Sequence, residues 1–296
     1  MELQQLRYAL AIADNGTFTA AAAACFVAQP SLSHAIRNLE AELGVGLFHR
    51  IGRRVTLSAA GEAFVPAARE VLRTLDTLRA SVDAVAGVTA GRLDLVALPS
   101  LAVDPVTPLV GAFRAAHPGV TVRLAHPDNS SDLVGLVRCG DSEVGITELP
   151  ISADDLTSRQ LGRQELVAIS PPGFPRRGRA ALAELARQPL VTQPRGTSTR
   201  DTLDAAFAAL GLSVAVAVET DQREAIVPLV LAGAGAGVVP RPMATVAQRQ
   251  GAVISPLRPA LWRQLGLIHR TATLSPAAHA FVDIAVEALG ANRPQR

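Results

Sequence analysis

Between Phe64 and Val85 the residues Phe64, Ala68, Val71, Leu75, Leu78, Val82 and Val85 recur at alternating intervals of four and three, the spacing of a coiled-coil seam. The spacing predicts one long helix, capped by Ser58 and running to about Val85. A helix with a continuous apolar stripe must cover it with another helix. Self-association is the expected use, and packing on the chain's own C-terminal part is the alternative. The helix also divides the chain. Short helices precede it and a strand-helix alternation follows, so the 296 residues hold at least two separately built parts. Pro66 is expected to kink or loosen its first turns.

Leu3, Leu6, Leu10 and Ala13 stand at helical spacing ahead of a stop at Gly16, and Thr17 can cap the alanine-rich "FTAAAAACF". Gln29 and Pro30 then open a third helix that ends at Gly44. Leu32, Ile36, Leu39 and Leu43 form its buried stripe, while Ser31, His34, Arg37 and Asn38 point the other way, with Ser33 nearer the edge of that polar face. Short hydrogen-bonding groups with one guanidinium are not the Glu/Lys mixture of an ordinary solvated helix. Two extended pieces follow, 47–50 and 55–57, around a turn at Gly52-Arg53-Arg54. Three helices and a basic hairpin describe a winged helix-turn-helix. The net charge of +2 says little about nucleic acid, but the charge is clustered: Arg50, Arg53 and Arg54 fall within five residues beside His49. Such a hairpin suits phosphate contacts, which supply affinity and register without reading sequence.

From residue 91 the pattern changes. "RLDLVAL", "VTVRLAH" and "EVGI" read as strands around helices at 105–116 and 131–139. "ELVAIS", "PLVTQ", "VAVAVE", "GAGVVP" and "QLGLIH" then alternate with helices at 180–188, 199–210, 223–232 and 242–250. This alternation predicts open parallel α/β sheets in two lobes with a small-molecule crevice between them. Gly233, Gly235 and Gly237 do not form a dinucleotide fingerprint, and a chain without lysine has no Walker lysine, so a helix-to-strand turn is expected there. Cys25 and Cys139 are too few for a disulfide framework and lack zinc-ligand spacing, so neither metal nor cofactor is expected. No run has the roughly 18 apolar residues of a membrane span, and the first residues are not a secretory h-region, which makes the cytoplasm the expected location. His126 and Asp128 on one strand end fall short of a catalytic set, so no enzyme is expected.

The order of elements resembles the LysR-type transcriptional regulators over the whole chain. The resemblance is most specific in "FTAAAAACFVAQPSLSHAIRNLEAELGVGLFHRIGRRVTLSAAGE", which is similar to the family's run of Phe-Thr, paired alanines, Gln-Pro, Leu-Ser, Ile, Leu-Glu, Leu-Gly, Leu-Phe, Arg, Arg and Leu-Thr-x-x-Gly. "HPGVTVRL" and "GAGVVP" match more loosely. The resemblance implies a winged helix-turn-helix over residues 1–57, a linker and dimerisation helix over 58–88, and over 91–296 a periplasmic-binding-protein-like (type 2) effector domain. Its first lobe would span about 91–161 and 269–296, its second about 162–268. The partners implied are double-stranded promoter DNA, a second copy of the chain in a dimer or dimer of dimers, a small-molecule effector and RNA polymerase. Gln29, Ser31, Ser33, His34 and Arg37 match the recognition-helix positions, and Arg50, Arg53 and Arg54 the wing. Arg37 suits guanine O6 and N7, and Gln29 suits adenine N6 and N7. Ser100, Ser130, Thr147, Thr199 and Thr220 are the hydroxyls the resemblance brings to the effector crevice, ordinary helix capping being the alternative for each.

Ala28 stands where relatives usually carry Ser or Thr, and an alanine side chain cannot cap. Cys25 reads as a small core hydrophobe or, in a redox-responsive regulator, as a thiol sensor whose oxidation would push a polar group into the small head domain. A different class of protein, an α/β solute-binding protein or enzyme with an accessory N-terminal domain, would need a secretion signal or a convergent catalytic set.

Overall fold

The computed structural model describes residues 1–51, 54–85, 91–175, 178–271 and 274–290. Helices α1 (Leu3–Asn15), α2 (Phe18–Ala24) and α3 (Gln29–Leu43) open the chain, and their flanks explain their limits. Glu2 and Gln5 form a reciprocal capping box on α1, which Gly16 ends in the left-handed conformation at φ 66°. Thr17 Oγ1 accepts from the Ala20 N–H at 3.1 Å, as its position predicted. Tyr8, Ile12, Phe18, Leu32, Ile36, Leu39 and Leu47 meet in one small core. The hairpin of β1 (Phe48–Ile51) and β2 (Arg54–Leu57) pairs from Phe48↔Leu57 to Ile51↔Arg54. Glu40 ties it to α3, its Oε1 accepting from the N–H groups of Leu47 at 2.8 Å and Phe48 at 3.3 Å.

Helix α4 (Ala59–Val85) runs through Pro66 as one element. Ser58 Oγ caps it, accepting from the Gly61 N–H at 3.1 Å. Gly61 has no substitute, because a Cβ there would stand 2.2 Å from the Leu47 carbonyl oxygen. The predicted seam divides in two. Phe64 packs on the chain's own head and Val65 and Ala68 are buried, whereas Val71 is 46% and Leu78 59% exposed. The side chains of Val82 and Val85 lie outside the described residues.

The remaining elements are β3 (Gly91–Ala97), α5 (Pro99–Leu101), α6 (Thr107–Ala116), β4 (Val120–Ala125), α7 (Ser130–Arg138), β5 (Val144–Leu149), β6 (Leu156–Ser170), β7 (Ala180–Ala181), α8 (Leu182–Leu185), β8 (Leu190–Thr192), α9 (Ser198–Ala208), β9 (Val216–Glu219), α10 (Ile226–Leu231), β10 (Ala236–Pro240), α11 (Arg241–Arg249), β11 (Val253–Arg270) and α12 (Pro276–Gly290). The sheet order is β4-β3-β5-β11-β6-β10-β8-β9. It is mixed, not purely parallel. Strands β4, β3 and β5 are parallel, as are β10, β8 and β9, but β6 and β11 run antiparallel to each other and to their outer neighbours.

These two long strands belong to both lobes. Leu161 of β6 and Leu265, Leu267 and Ile268 of β11 pack in the first lobe's core with Leu93, Phe113 and Phe281. In the second lobe Leu166 and Ala168 enter the core on one face of the sheet, Val167 and Ile169 that on the other, as the two-residue period of a strand requires. On β11 the passage between lobes therefore falls near Arg263, several residues before the expected limit at 268. The short hydrophobic pieces at 165–170 and 264–269 were only the apolar halves of these strands. Pro256 and Pro259 hid the rest, interrupting the pairing between Pro256 and Leu261.

Three predicted helices also differ. Asp104 is extended at φ −146°, so α6 begins at Thr107. Ala180 and Ala181 pair with Leu257 and Arg258, which leaves only α8 of the helix expected at 180–188. Residues 223–225 form a 3₁₀ turn ahead of α10. The glycine run is a helix-to-strand turn as expected, and Gly235, at φ 152°, lies so close to Pro189 that a Cβ would meet its carbonyl oxygen at 2.2 Å.

Candidate functional site

The polar face of α3 is uncovered. Gln29, Ser31, His34, Arg37 and Asn38 are exposed along it, while Leu32, Ile36 and Leu39 are fully buried beneath. Ser33 is not on that face. One hundred degrees from Leu32, it is 9% exposed, and its Oγ accepts from Gln29 Nε2 at 2.8 Å. Arg37 Nε donates to the Ser33 carbonyl at 3.3 Å, and Asn38 Nδ2 lies 3.3 Å from His34 Nδ1. The face is thus lightly tethered along the helix and open outward. Ala28 makes no side-chain cap to α3, and the backbone there is extended at φ −68°, ψ 136°.

On the wing His49 and Arg54 are exposed, and Arg50 lies in β1 opposite Val55. Arg53 lies outside the described residues. Sequence reading missed Phe26, which is 95% exposed in the turn before α3 and takes the left-handed conformation at φ 56°. A bulky residue at positive φ carries strain that glycine would not. The signal was present as an aromatic residue between two helices. Cys25 ends α2, partly exposed against the head core, and burial pushes its thiol above the ordinary value, which leaves less thiolate for oxidation.

Ser100 lies just beyond the carboxyl end of β3 and Ser198 beyond that of β8, the position where open α/β sheets place ligands, and one side chain reaches both. Arg263 stands at the junction of the lobes, 3% exposed. Its Nη1 donates to Ser100 Oγ at 2.7 Å and Glu148 Oε1 at 3.2 Å in the first lobe, and to Ser198 Oγ at 3.4 Å in the second. Nε donates to Gln164 Oε1 at 2.9 Å, and Nη2 reaches the same oxygen. Gln164 Nε2 donates in turn to Asp104 Oδ2 at 2.9 Å. Burial lowers the pKa of Arg263, and Glu148 opposes that shift.

Of the predicted hydroxyls, Ser100 joins this cluster. Thr147, fully buried, donates to Ser130 at 3.5 Å on the first lobe. Thr199 stands next to Ser198 in the first turn of α9, and Ser198 rather than Thr199 reaches Arg263. Thr220 Oγ1 accepts from the Gln222 N–H at 3.1 Å, so this hydroxyl shapes the turn that carries Arg223. Sequence reading missed Gln164, Ser198, Arg223 and Arg263. A signal for Arg263 existed in the alternation of Leu261, Arg263, Leu265 and Leu267, which puts one cation on an inward-facing row.

A third cluster joins the head to the first lobe. Arg69 of α4 bonds Asp14 at the end of α1 and, through Nε, Asp141 Oδ1 at 2.7 Å. With Asp94, Arg123 and Ser142 they line part of a cavity of about 250 Å³, whose apolar wall is Leu95, Ala125 and Leu136. Among the described residues no helix is long and apolar enough to cross a membrane, and no group of His, Cys, Asp and Glu is placed to hold a metal ion.

Two family models match the chain. Residues 3–62 match the bacterial regulatory helix-turn-helix protein of the lysR family, and residues 86–290 match the LysR substrate binding domain. The transcriptional regulator IlvR of Caulobacter vibrioides is 30% identical over 296 residues, covering 97% of this chain and 98% of its own. Full-length CbnR complexed with its target DNA is 25% identical with a TM-score of 0.69, covering 97% of this chain and all of that one. A full-length OxyR variant of Pseudomonas aeruginosa shares the fold with a TM-score of 0.76 at 23% identity, covering 98% and 94% of the two chains. With a helix-turn-helix head, an effector-binding domain and this kinship along its length, the chain belongs to the LysR family of DNA-binding transcriptional regulators.

Proposed function

We propose that this regulator reads DNA with α3 in the major groove, residues 1–57 forming the head, 58–88 the linker and 91–296 the effector domain. The observation that carries the reading is the outward row of Gln29, Ser31, His34 and Arg37 beside the basic hairpin. Arg37 pairs with guanine, Gln29 with adenine, and Arg50, Arg53 and Arg54 hold phosphates. Ser33 orients Gln29 instead of touching a base. Two copies associate through the uncovered part of α4 around Val71 and Leu78, which sets the spacing of the two recognition helices. The effector enters the crevice between the lobes at Ser100, Ser130, Thr147, Thr199, Thr220 and Arg263. It acts by favouring one arrangement of lobes that Arg263 touches on both sides. The protein works in the cytoplasm and catalyses no reaction.

Footprinting on the DNA upstream of the protein's own gene tests this reading. The wild type protects two half-sites about one helical turn, roughly 10 base pairs, or a whole multiple of it apart. Arg37→Ala loses those footprints while binding bulk DNA. Equal protection by both proteins would remove α3 as the reader.

A further inference from the structure

Arg223 opens the 3₁₀ turn after β9, on the crevice side of the second lobe. With its amide oxygen turned to the guanidinium, Gln193 accepts from Nε at 3.3 Å and Nη2 at 3.1 Å. Nη1 is buried and has no hydrogen-bond partner. The contrast with its neighbours is informative. Arg263 is paired with Glu148, and Arg200, 7% exposed, is paired with Asp204 and Glu219. Arg223 has a neutral amide and, among the described residues, no carboxylate within ion-pair distance. Burial and the nearby charge of Arg263 lower its pKa to about 10, which still leaves it a cation at neutral pH. Arg223 is half-buried with Nη1 fully enclosed, and a desolvated cation that lacks a direct ion pair is costly, a cost that an anionic ligand would offset.

The surroundings narrow the ligand further. Gln193, which holds Arg223, also accepts from Arg200 Nη1 through its backbone carbonyl at 2.9 Å, so the guanidinium is fixed to the start of α9. Asp128 and Glu224 attract Arg223 from exposed positions, and Glu148 and Asp104 stand about Arg263. One positive charge lacks a direct ion pair and the rim is acidic, so a second negative charge on the ligand would face carboxylates.

We propose that the crevice binds a small monocarboxylate whose charged group is held by Arg223 Nη1 beside the Arg263–Ser100–Ser198 cluster. This rests on the crevice being the effector site. Nη1, the nitrogen that Gln193 leaves free, can give a carboxylate charge-assisted hydrogen bonds, and the serine hydroxyls near Arg263 suit an uncharged polar group on the same molecule.

Thermal unfolding of the full-length protein at constant ionic strength tests it, with sodium formate, propionate and benzoate as anions and propionamide and benzamide as neutral counterparts. In the wild type the carboxylates raise Tm by several degrees at tens of millimolar and the amides do not, because a ligand that binds only the folded state stabilises it. Arg223→Gln raises the Tm of the ligand-free protein and abolishes the carboxylate shift. Arg223→Lys keeps part of the shift. A carboxylate shift that survives Arg223→Gln would place the anion outside the crevice and overturn the proposal. Amides that stabilise as well as acids, with the effect lost in Ser100→Ala, would leave the crevice as the effector site and remove only the charge. No shift with any probe, together with a lower Tm for Arg223→Gln, would make Arg223 a structural brace and overturn the proposal.

Discussion

Arg37 and Arg263 carry the same guanidinium under opposite conditions. Arg37 stands on the open face of α3, exposed and held by one 3.3 Å bond to a backbone carbonyl of its own helix. Arg263 lies between two lobes, 3% exposed and bonded to Ser100, Glu148, Gln164 and Ser198. The first contributes nothing until a polyanion arrives. The second already fixes the geometry of the protein that contains it, so the two regions should respond to substitution in opposite ways.

The largest effect is expected at Arg263. Removing one member of a buried ion pair costs about 3–5 kcal/mol, because the partner charge is left uncompensated. Arg263→Ala should lose that much in a denaturant titration, and the loss should shrink when Glu148→Leu is added to it. If the single and double variants are equally destabilised, the pair with Glu148 is not the source. Arg37→Ala is the counterpart. Stability should stay within about 0.5 kcal/mol of wild type, as for an exposed residue outside special features. Operator affinity should fall by about 1–3 kcal/mol, the discrimination carried by one bidentate base contact, which an anisotropy titration measures. A stability loss comparable to that of Arg263→Ala would erase the distinction between the two regions.

Arg54 sharpens the comparison within the DNA-binding head. It is exposed at the end of the wing hairpin, across from Ile51, where a phosphate contact needs charge but no base geometry. Arg54→Ala should weaken binding on all sequences alike and reduce the slope of log affinity against log salt by about 0.9, the value of one released counterion. An unchanged slope would take Arg54 off the phosphates.

The same contrast explains what could be read from the chain alone. The head is built from local rules: helix periods, Thr17 and Ser58 as caps, Gly16 and Gly44 as stops, and a polar face defined by residues within three turns of one helix. Each lies within a few residues of its partner. The crevice is assembled from distant segments, Ser100 being 163 residues from Arg263 and Gln164 being 99 from it. Only hydroxyls at strand ends and helix starts could be named there, and what brought them together was the resemblance to the family, not their spacing. Arg223 was not, since a charged residue in a turn reads as exposed, and Arg263 left only the faint signal of its alternation with Leu261, Leu265 and Leu267. The long strands that carry Gln164 and Arg263 were half hidden for a related reason. Prolines and arginines over 256–263 break the apolar signal, and pairing between antiparallel neighbours restores the strand in spite of them. Ser33 failed in the reverse sense, its hydroxyl suggesting a base contact although its angle on the helix turns it toward Leu32 and Gln29.

The smallest predicted change is one that should improve the protein. Ala28 holds the N-cap position of α3 with the extended backbone a cap requires, and its carbonyl already accepts from the Leu32 N–H at 3.2 Å, yet no side-chain oxygen serves the free N–H groups of the first turn. Ala28→Ser supplies that oxygen without moving the backbone and should stabilise the head by about 0.5–2 kcal/mol, measured by denaturant unfolding. The substitution lies on the exposed side of the helix start, outside the core of Leu32, Ile36 and Leu39, so no packing term competes. The same change at the crevice end of the molecule has no equivalent: Thr197 already precedes α9, and its hydroxyl donates to the Pro194 carbonyl at 2.8 Å instead of capping the helix. The first turn of α9 thus remains uncapped despite a residue able to serve it, whereas α3 is uncapped for want of one. A cap restored at Ala28 that leaves stability unchanged would mean that another group or ordered water already serves the α3 N–H groups, and the opening turn of the reading helix would then be as settled as its core.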